Sequence, residues 1–169
     1  ELFINGKSYG KQSKNNSSLK NRYRLMWMDT KYEPGEGKVV AYDKNGKAVA
    51  EKVVHTAGKP HHIELVSNRN ELTADGKDLA YVTVKVVDKD GNLCPADNRQ
   101  INFSVKGTGK YRAAANGDPT NLEQFHLPKM HAFNGMLTAI LQAGETAGEI
   151  VFTAKANGVK AGNIRIQTK

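Results

Sequence analysis

The chain has 169 residues, a length that fits one ordinary domain or two small ones. Its 25 lysine and arginine residues against 17 aspartate and glutamate residues give a formal charge of +8, but the basic residues are scattered, so the pattern disfavours nucleic acid as a partner. A single cysteine, Cys94, excludes an internal disulfide, and no apolar run is long enough to span a membrane.

Short alternating segments separated by turn residues fill positions 1–58. The pairs Asn5-Gly6 and Asn45-Gly46 are typical of tight hairpins, because both residue types tolerate a positive φ. The polar stretch 11–21 is rich in serine and asparagine and is expected to be a loop. Strands are predicted at 1–4, 23–28, 38–42 and 48–55. An immunoglobulin-type sandwich has about seven strands, so these four predict a domain that lacks its N-terminal strands.

The stretch 78–106 has the strongest strand signal of the chain. Val82, Val84 and Val86 alternate with polar residues, which sends the valines to one face of a strand. Turn residues follow at 88–92, and the alternation returns with Ile101 and Phe103. We expect a hairpin pair whose apolar face is covered by a second sheet.

The segment 111–133 is predicted to be a long irregular loop, and loops of this length inside a domain are often functional. Closing strands are expected at 136–142, 148–156 and 162–167, and no segment has a helical period. The sequence therefore predicts an all-β protein with two tandem immunoglobulin-like β-sandwich domains, the first incomplete, over 1–58 and 59–169. The glycine- and proline-containing stretch 56–60 forms the boundary.

Three segments, taken in order, carry a family resemblance. They are ELFINGKSYGK, then YRLMWMDTKYEPGEGKVVAYDKNGKAVAEKVVHTAG, then IELVSNRNELTADGKDLAYVTVKVVDKDGNLCPADNRQINFSVKGTGKYRAAANGDPT followed by KMHAFNGMLTAILQAG. These segments resemble the C-terminal immunoglobulin-like domains of family-two glycoside hydrolases of the bacterial β-galactosidase type. The resemblance implies a parent enzyme that hydrolyses terminal β-galactosides with two glutamates on a separate upstream barrel, and a periplasmic or extracellular location. No signal peptide is recognisable in these residues.

None of the catalytic motifs of that family is present in these residues, so no catalytic residue is assigned. Retaining hydrolysis needs two carboxyl groups about 5 Å apart, and the turn glutamates Glu33, Glu36, Glu145 and Glu149 do not predict such a pair. Asp88, Asp90 and Asn92 match the start of a Ca²⁺ loop, but later positions of that loop do not fit, so a hairpin turn is favoured. No metal or cofactor is predicted.

Five residues are candidates for contact with carbohydrate or with another domain: Trp27, Asn116, Asp118, His126 and His131. Trp27 could stack on a sugar, although its alternation with Tyr23 and Leu25 favours the core. The other four lie in or near the long loop. That loop could pack on the upstream barrel, border a sugar-binding surface, or simply cap the sandwich with Phe125 and Phe133 buried.

Two alternatives to the accessory region of an enzyme remain at this stage. A carbohydrate-binding module would have an oligosaccharide as its partner and would bind it through an exposed aromatic residue. A segment of an invasin-like adhesin would share the DGK, VTV and DGN pattern of the second domain. The adhesin alternative predicts repeated copies of that domain, whereas this sequence holds one copy beside an unlike first domain.

Overall fold

The computed structural model describes residues 1–169, which divide into two compact units, Glu1–Thr56 and Ala57–Lys169. Strands form nearly all of the regular structure, and the predicted all-β fold is confirmed. The single helix, α1 (Leu19–Tyr23), is little more than one turn long. No helix is both long enough and apolar enough to cross a lipid bilayer.

The first unit is one antiparallel sheet of four strands. These are β1 (Leu2–Ile4), β2 (Lys7–Ser8), β3 (Glu36–Tyr42) and β4 (Ala48–His55). Their order in the sheet is β2-β1-β3-β4, and the predicted turns at Asn5-Gly6 and Asn45-Gly46 join neighbouring strands. Among the buried apolar residues of the whole chain, only Val40 belongs to this unit. The sheet therefore has almost no core within residues 1–56.

The predicted strand at 23–28 is wrong. Tyr23 belongs to α1, which begins because Ser18 caps the helix by accepting a hydrogen bond from one of its backbone N–H groups. Beyond the helix, the side chain of Gln12 donates to the carbonyl of Met26 at 2.8 Å and accepts from its N–H at 3.3 Å. A side-chain amide offers the same donor and acceptor as a peptide group, so Gln12 satisfies Met26 where a neighbouring strand would otherwise be needed.

The second unit is a sandwich of two sheets. One sheet has the order β5-β7-β11-β9 and the other the order β10-β8-β12-β13-β6, with all neighbours antiparallel except β6 and β13. The strands are β5 (His62–Ser67), β6 (Glu71–Leu72), β7 (Leu79–Val87), β8 (Gln100–Gly107), β9 (Gly109–Ala115), β10 (Lys129–His131), β11 (Met136–Ala143), β12 (Gly148–Lys155) and β13 (Gly162–Thr168).

The core lies between these two sheets and follows the alternation of the sequence. Val82, Val84 and Val86 of β7 are fully buried, as predicted, and pack in one cluster with side chains of the facing sheet. Phe103 of β8 stacks on Phe152 of its own sheet, with ring centroids 5.7 Å apart. It also stacks on Tyr111 of the opposite sheet, at 5.6 Å, so the aromatic rings connect the two layers.

The expected hairpin between the two strongest strands is wrong, because β7 and β8 belong to different sheets. After the turn at 88–92, the chain does return along β7. Cys94 donates its N–H to the carbonyl of Val86 at 2.9 Å, and Leu93 forms an isolated bridge with Val87. Pro95 follows at once and has no N–H to continue the ladder. The chain then crosses to the second sheet, where β8 covers the valines from the other side.

Gly107 and Gly109 mark the point where the chain passes from β8 in one sheet to β9 in the other. Gly107 has a φ of +91°, and a Cβ built on it would lie 1.9 Å from the carbonyl oxygen of Glu149. A Cβ on Gly109 would lie 2.3 Å from a methyl carbon of Ile150. No room exists at either position for a side chain, so the crossover depends on glycine.

The long irregular loop predicted at 111–133 is shorter than expected. Residues 111–115 belong to β9 and residues 129–131 to β10, which leaves 116–128 as the loop. The sequence of β9, GKYRAAA, has no β-branched residue, and its pairing with β11 shifts register between Ile140 and Leu141. The strand signal is weak for both reasons, since propensity and regular alternation are absent together.

In the five-stranded sheet, the first and last strands in chain order, β6 and β13, are parallel neighbours. Glu71 and Leu72 of β6 lie opposite Gln167 and Thr168 of β13. The N–H of Lys169 donates to the carbonyl of Leu72 at 2.9 Å, and its ammonium group lies 2.6 Å from the carboxylate of Glu71. The last strand of this unit is thereby paired with a strand near its start.

Candidate functional site

Loop 116–128 carries or adjoins four of the five predicted contact residues. Asn116 opens the loop, and its side-chain amide donates to the carbonyl of His131 in β10 at 2.9 Å. The side-chain oxygen of Asn116 accepts the N–H of Asp118 at 3.1 Å. The structure thus brings Asn116, Asp118 and His131 together, and Asn116 links the start of the loop to the strand that follows it.

The polar groups of Asp118 and His131 are engaged inside the loop. One carboxylate oxygen of Asp118 accepts the hydroxyl of Thr120 at 2.7 Å and its N–H at 2.8 Å, and these two bonds lower the pKa of Asp118. Glu123 accepts the backbone N–H of His131 at 3.1 Å and lies 3.0 Å from its ring Nδ1. These contacts order the loop, and they leave few groups free to bind a ligand.

The outer part of the loop is apolar and exposed. The side chain of Phe125 is 54 % exposed and that of Leu122 is 96 % exposed, while Phe133 is half-buried. The alternative in which the loop caps the sandwich with a buried Phe125 is therefore wrong. The backbone is nevertheless fixed, because the hydroxyl of Tyr111 donates to the carbonyls of Phe125 at 3.1 Å and Leu127 at 2.8 Å. Burial raises the pKa of Tyr111 to about 12, so this hydroxyl stays protonated. His126 is exposed beside Phe125.

A groove of about 390 Å³ lies beside the loop, on the outer face of the sheet that contains β7, β9 and β11. Thr83, Thr138 and Ala115 lie opposite one another on these three strands and contribute to it. Asn116 lines the groove from the side of the loop, and Phe133 and Met136 line it from the turn before β11. None of the lining residues is charged. We call this depression the threonine groove.

Trp27 lies in the first unit and is only half-buried. Its indole N–H donates to the carbonyl of Gly10 at 3.1 Å. The alternation with Tyr23 that favoured a core position does not exist, because residues 23–28 form no strand and the side chain of Tyr23 is 65 % exposed. The role of Trp27 as a sugar contact stays a prediction.

The turn that resembles the start of a Ca²⁺ loop is built around Asp88 instead. The Asp88 side chain is buried, and its carboxylate accepts four hydrogen bonds. They come from the backbone N–H groups of Gly58, Asp90 and Asn92 and from the side-chain amide of Asn92, at 2.8–3.0 Å. The bond from Gly58, above all, holds the pKa of Asp88 well below its usual range. Asp88 closes the turn and fixes the entry to the second unit at Gly58.

Thr83, Thr138 and Ala115 were not among the predicted site residues. They are far apart in the sequence, and only the register of three strands places them together. For Thr83 and Thr138 the useful signal was the outward position in an alternating strand, on the face opposite the core. Ala115 lies on β9, which has no such alternation. Asn116 lies at the end of the same face. It was predicted as a contact residue, but for a different reason, namely the length of the loop that it opens.

Comparison with known proteins gives matches over most of the chain. A family model described as glycoside hydrolase family 2 C-terminal domain 5 matches residues 63–165, and a domain of unknown function matches residues 1–50. Beta-galactosidase BoGH2A of Bacteroides ovatus is 41 % identical over the whole chain, which covers 19 % of that protein. A beta-glucuronidase of Formosa agariphila is 26 % identical over 99 % of the chain and 17 % of its own length.

A solved structure of a glycosyl hydrolase family 2 member from Bacteroides cellulosilyticus superposes with a TM-score of 0.84 at 32 % identity. That match covers 99 % of the present chain and 21 % of the solved chain. The present chain therefore spans about a fifth of the length of the relatives that it matches.

Proposed function

The chain belongs to glycoside hydrolase family 2, whose C-terminal domain 5 it contains, and from this we propose that it is a non-catalytic accessory region of a β-galactosidase-like enzyme. The observation that carries the proposal is the 41 % identity over the whole chain with the Bacteroides ovatus β-galactosidase. The parent enzyme would hydrolyse terminal β-galactosides on an upstream barrel domain of the same polypeptide, and it would work in the periplasm or outside the cell.

The carboxylates of the chain support an accessory role rather than a catalytic one. Retaining hydrolysis uses one carboxylic acid and one carboxylate about 5–5.5 Å apart across a sugar. Glu149 forms an ion pair with Arg165 and accepts a hydrogen bond from Gln167 at 3.4 Å, so its carboxylate is part of the sheet surface. Glu145 approaches the turn at Gly76. Glu149 and Glu145 thus each have a structural neighbour where a substrate-facing partner would be needed.

The proposal is tested with an antibody raised against the 169-residue chain. In the organism that produces the protein, we expect an immunoblot band roughly five times the 18.5 kDa mass of the chain, as the coverage of its relatives indicates. The precipitated protein should release p-nitrophenol from p-nitrophenyl β-galactoside faster than from the β-glucuronide. Cell fractionation of the same samples tests the location.

Two outcomes would contradict the proposal. One is a band at the mass of the isolated chain, and the other is a heavy band without activity on either glycoside. Faster hydrolysis of the β-glucuronide would keep the accessory role and change the substrate. Antibody collected before immunisation serves as the control.

The first unit supports a second part of the proposal, which concerns residues 1–58 as part of a larger immunoglobulin-like domain. Leu2, Val39 and Lys52 are paired across β1, β3 and β4, and Ile4 and Val54 extend the same face. Val39 is 41 % exposed and Val54 60 % exposed. Apart from Lys52 on the edge strand β4, this face is apolar, and such a face is not stable in water without a second layer. We propose that further strands of the same domain in the parent enzyme supply that layer.

Val54→Lys is the variant that tests this second layer. In the parent enzyme it should destabilise the domain by about 2 kcal/mol, because a charge would be placed in a buried layer. In the isolated chain, where this face is open, it should cost less than about 0.5 kcal/mol. Thermal unfolding of both proteins gives the comparison.

Glu51→Lys is the matched control, since Glu51 lies on the same strand and the opposite face. The second layer does not exist if Val54→Lys and Glu51→Lys lower the stability of the parent enzyme equally.

A further inference from the structure

We propose that the threonine groove binds a neutral saccharide. The choice of ligand class rests on the proposed function, because an accessory region of a glycoside hydrolase meets carbohydrate at high local concentration. The location and the selectivity follow from the residues that line the groove. It lies on the outer face of the β5-β7-β11-β9 sheet, away from the core.

The lining of the groove combines the two kinds of group that a sugar ring needs. A pyranose presents an apolar C–H face and a rim of hydroxyl groups. Phe133, Met136 and Ala115 offer apolar surface, and Met136 is 38 % exposed. Thr83 and Thr138 lie directly opposite each other on β7 and β11, and each hydroxyl can both donate and accept a hydrogen bond. Binding sites are typically apolar depressions of about 300–1,000 Å³ with a few polar groups. The groove agrees with this in its volume of about 390 Å³ and in its composition, and it is shallow.

The absence of charge in the lining decides which saccharides fit. Phosphates and uronates are recognised by lysine or arginine, which form charge-assisted hydrogen bonds. No such residue lines the groove, although the chain as a whole carries a formal charge of +8. The charge next to the groove is Lys85, opposite Met136, and its ammonium lies 3.3 Å from the carboxylate of Glu64. An acidic sugar would therefore lose hydration without gaining a counter-charge.

The walls of the groove are held in place before any ligand arrives. Asn134 and Gly135 form a tight turn with φ of +51° and +76°, and Phe133 and Met136 exchange backbone hydrogen bonds of 2.9 and 3.1 Å across it. A Cβ on Gly135 would lie 2.4 Å from the carbonyl oxygen of Cys94, so this turn is packed against its neighbour. On the opposite side, Asn116 is anchored to the carbonyl of His131. Fixed walls reduce the entropy lost on binding.

The test is an NMR titration of the ¹⁵N-labelled 169-residue chain with β-1,4-galactobiose, and with digalacturonic acid as the acidic counterpart. We expect galactobiose to shift the amide signals of Thr83, Asn116 and Thr138 with a Kd on the order of 1 mM, as suits a shallow site. Thr138→Val, which keeps the shape and removes the hydroxyl, should weaken binding at least threefold. Thr138→Arg should weaken it more than tenfold.

Ile140→Arg is the matched control. Ile140 occupies the next outward position of β11, opposite Tyr81 and Ala113, and does not line the groove. This variant should bind galactobiose within twofold of the unchanged chain. Preserved dispersion of the amide spectrum shows that each variant is folded.

Three outcomes would overturn the assignment. They are the absence of shifts at galactobiose concentrations far above the expected Kd, shifts centred away from the groove, and equal binding of digalacturonic acid. None of them affects the proposal of an accessory region, which the antibody and activity experiment decides separately.

Discussion

Replacing Gly107 with alanine should destabilise the second unit by about 4 kcal/mol, a large part of the stability of a domain of this size. The residue combines a φ of +91° with a position where a Cβ would come within 1.9 Å of the carbonyl oxygen of Glu149. That oxygen already accepts the N–H of Thr108 at 3.0 Å, so neither backbone segment can move without breaking the crossover. Chemical denaturation of the chain measures the loss.

Gly91→Ala separates the two causes. Gly91 has a similar φ of +84°, but nothing lies within 4 Å of the position that its Cβ would take. The substitution should therefore cost only the strain of a positive φ, about 1 kcal/mol. If the two variants lose the same free energy of unfolding, crowding at the crossover contributes nothing, and the steric clash at Gly107 is contradicted.

Replacing Asp88 with alanine is expected to lower the midpoint of thermal unfolding of the second unit by roughly 10 °C. The carboxylate accepts hydrogen bonds from three backbone N–H groups and from the side chain of Asn92, and the variant leaves these donors without a partner. Asp90→Ala is the matched control, since Asp90 belongs to the same turn and its side chain is 60 % exposed. It should leave the midpoint nearly unchanged.

The effect of Asp88 should also depend on pH in a defined direction. The pKa of this carboxyl is depressed in the folded chain, so its stabilising effect is complete above the unfolded value of about 3.9. As the pH falls below about 4, the unfolded state takes up a proton first and the stabilisation decreases. The difference in stability between the unchanged chain and Asp88→Ala should therefore narrow on acidification. A constant difference from pH 7 to pH 3 would contradict this role of the carboxylate.

Where local chemistry determines structure, the sequence predicted it. The alternating valines of β7 and the turn pairs Asn5-Gly6 and Asn45-Gly46 are each decided by a few adjacent residues, and all were predicted. The failures lie where a local signal was overlooked or where a distant group decides. Pro95 ends a pairing that the alternation alone would continue, and β8 joins the other sheet. The side chain of Gln12 forms the two hydrogen bonds with the backbone of Met26 that a neighbouring strand would otherwise form, and residues 23–28 are not a strand.

The site was harder to predict than the fold for a related reason. Asn116 and His131 were selected because of loop length, and the structure does place them in contact. The threonine groove, however, depends on the register of three strands, which puts Thr83 opposite Thr138 and Thr138 opposite Ala115. A shift of one residue would turn each of these side chains toward the core. Register was not predictable here, because β9 is rich in alanine and its pairing with β11 shifts between Ile140 and Leu141.

The parallel pairing of β6 with β13 has a consequence for biosynthesis. Lys169 contacts Glu71 across 98 positions of sequence, so the ribosome must release almost the entire second unit before its larger sheet can close. Contacts between such distant positions form slowly, because a long chain must be ordered before any of them is made. Until then the valine-rich strand β7 is exposed on a nascent chain that is prone to aggregation. We expect this unit to fold only after its last strand has left the ribosome, and to depend on chaperones more than an α-helical domain of equal length.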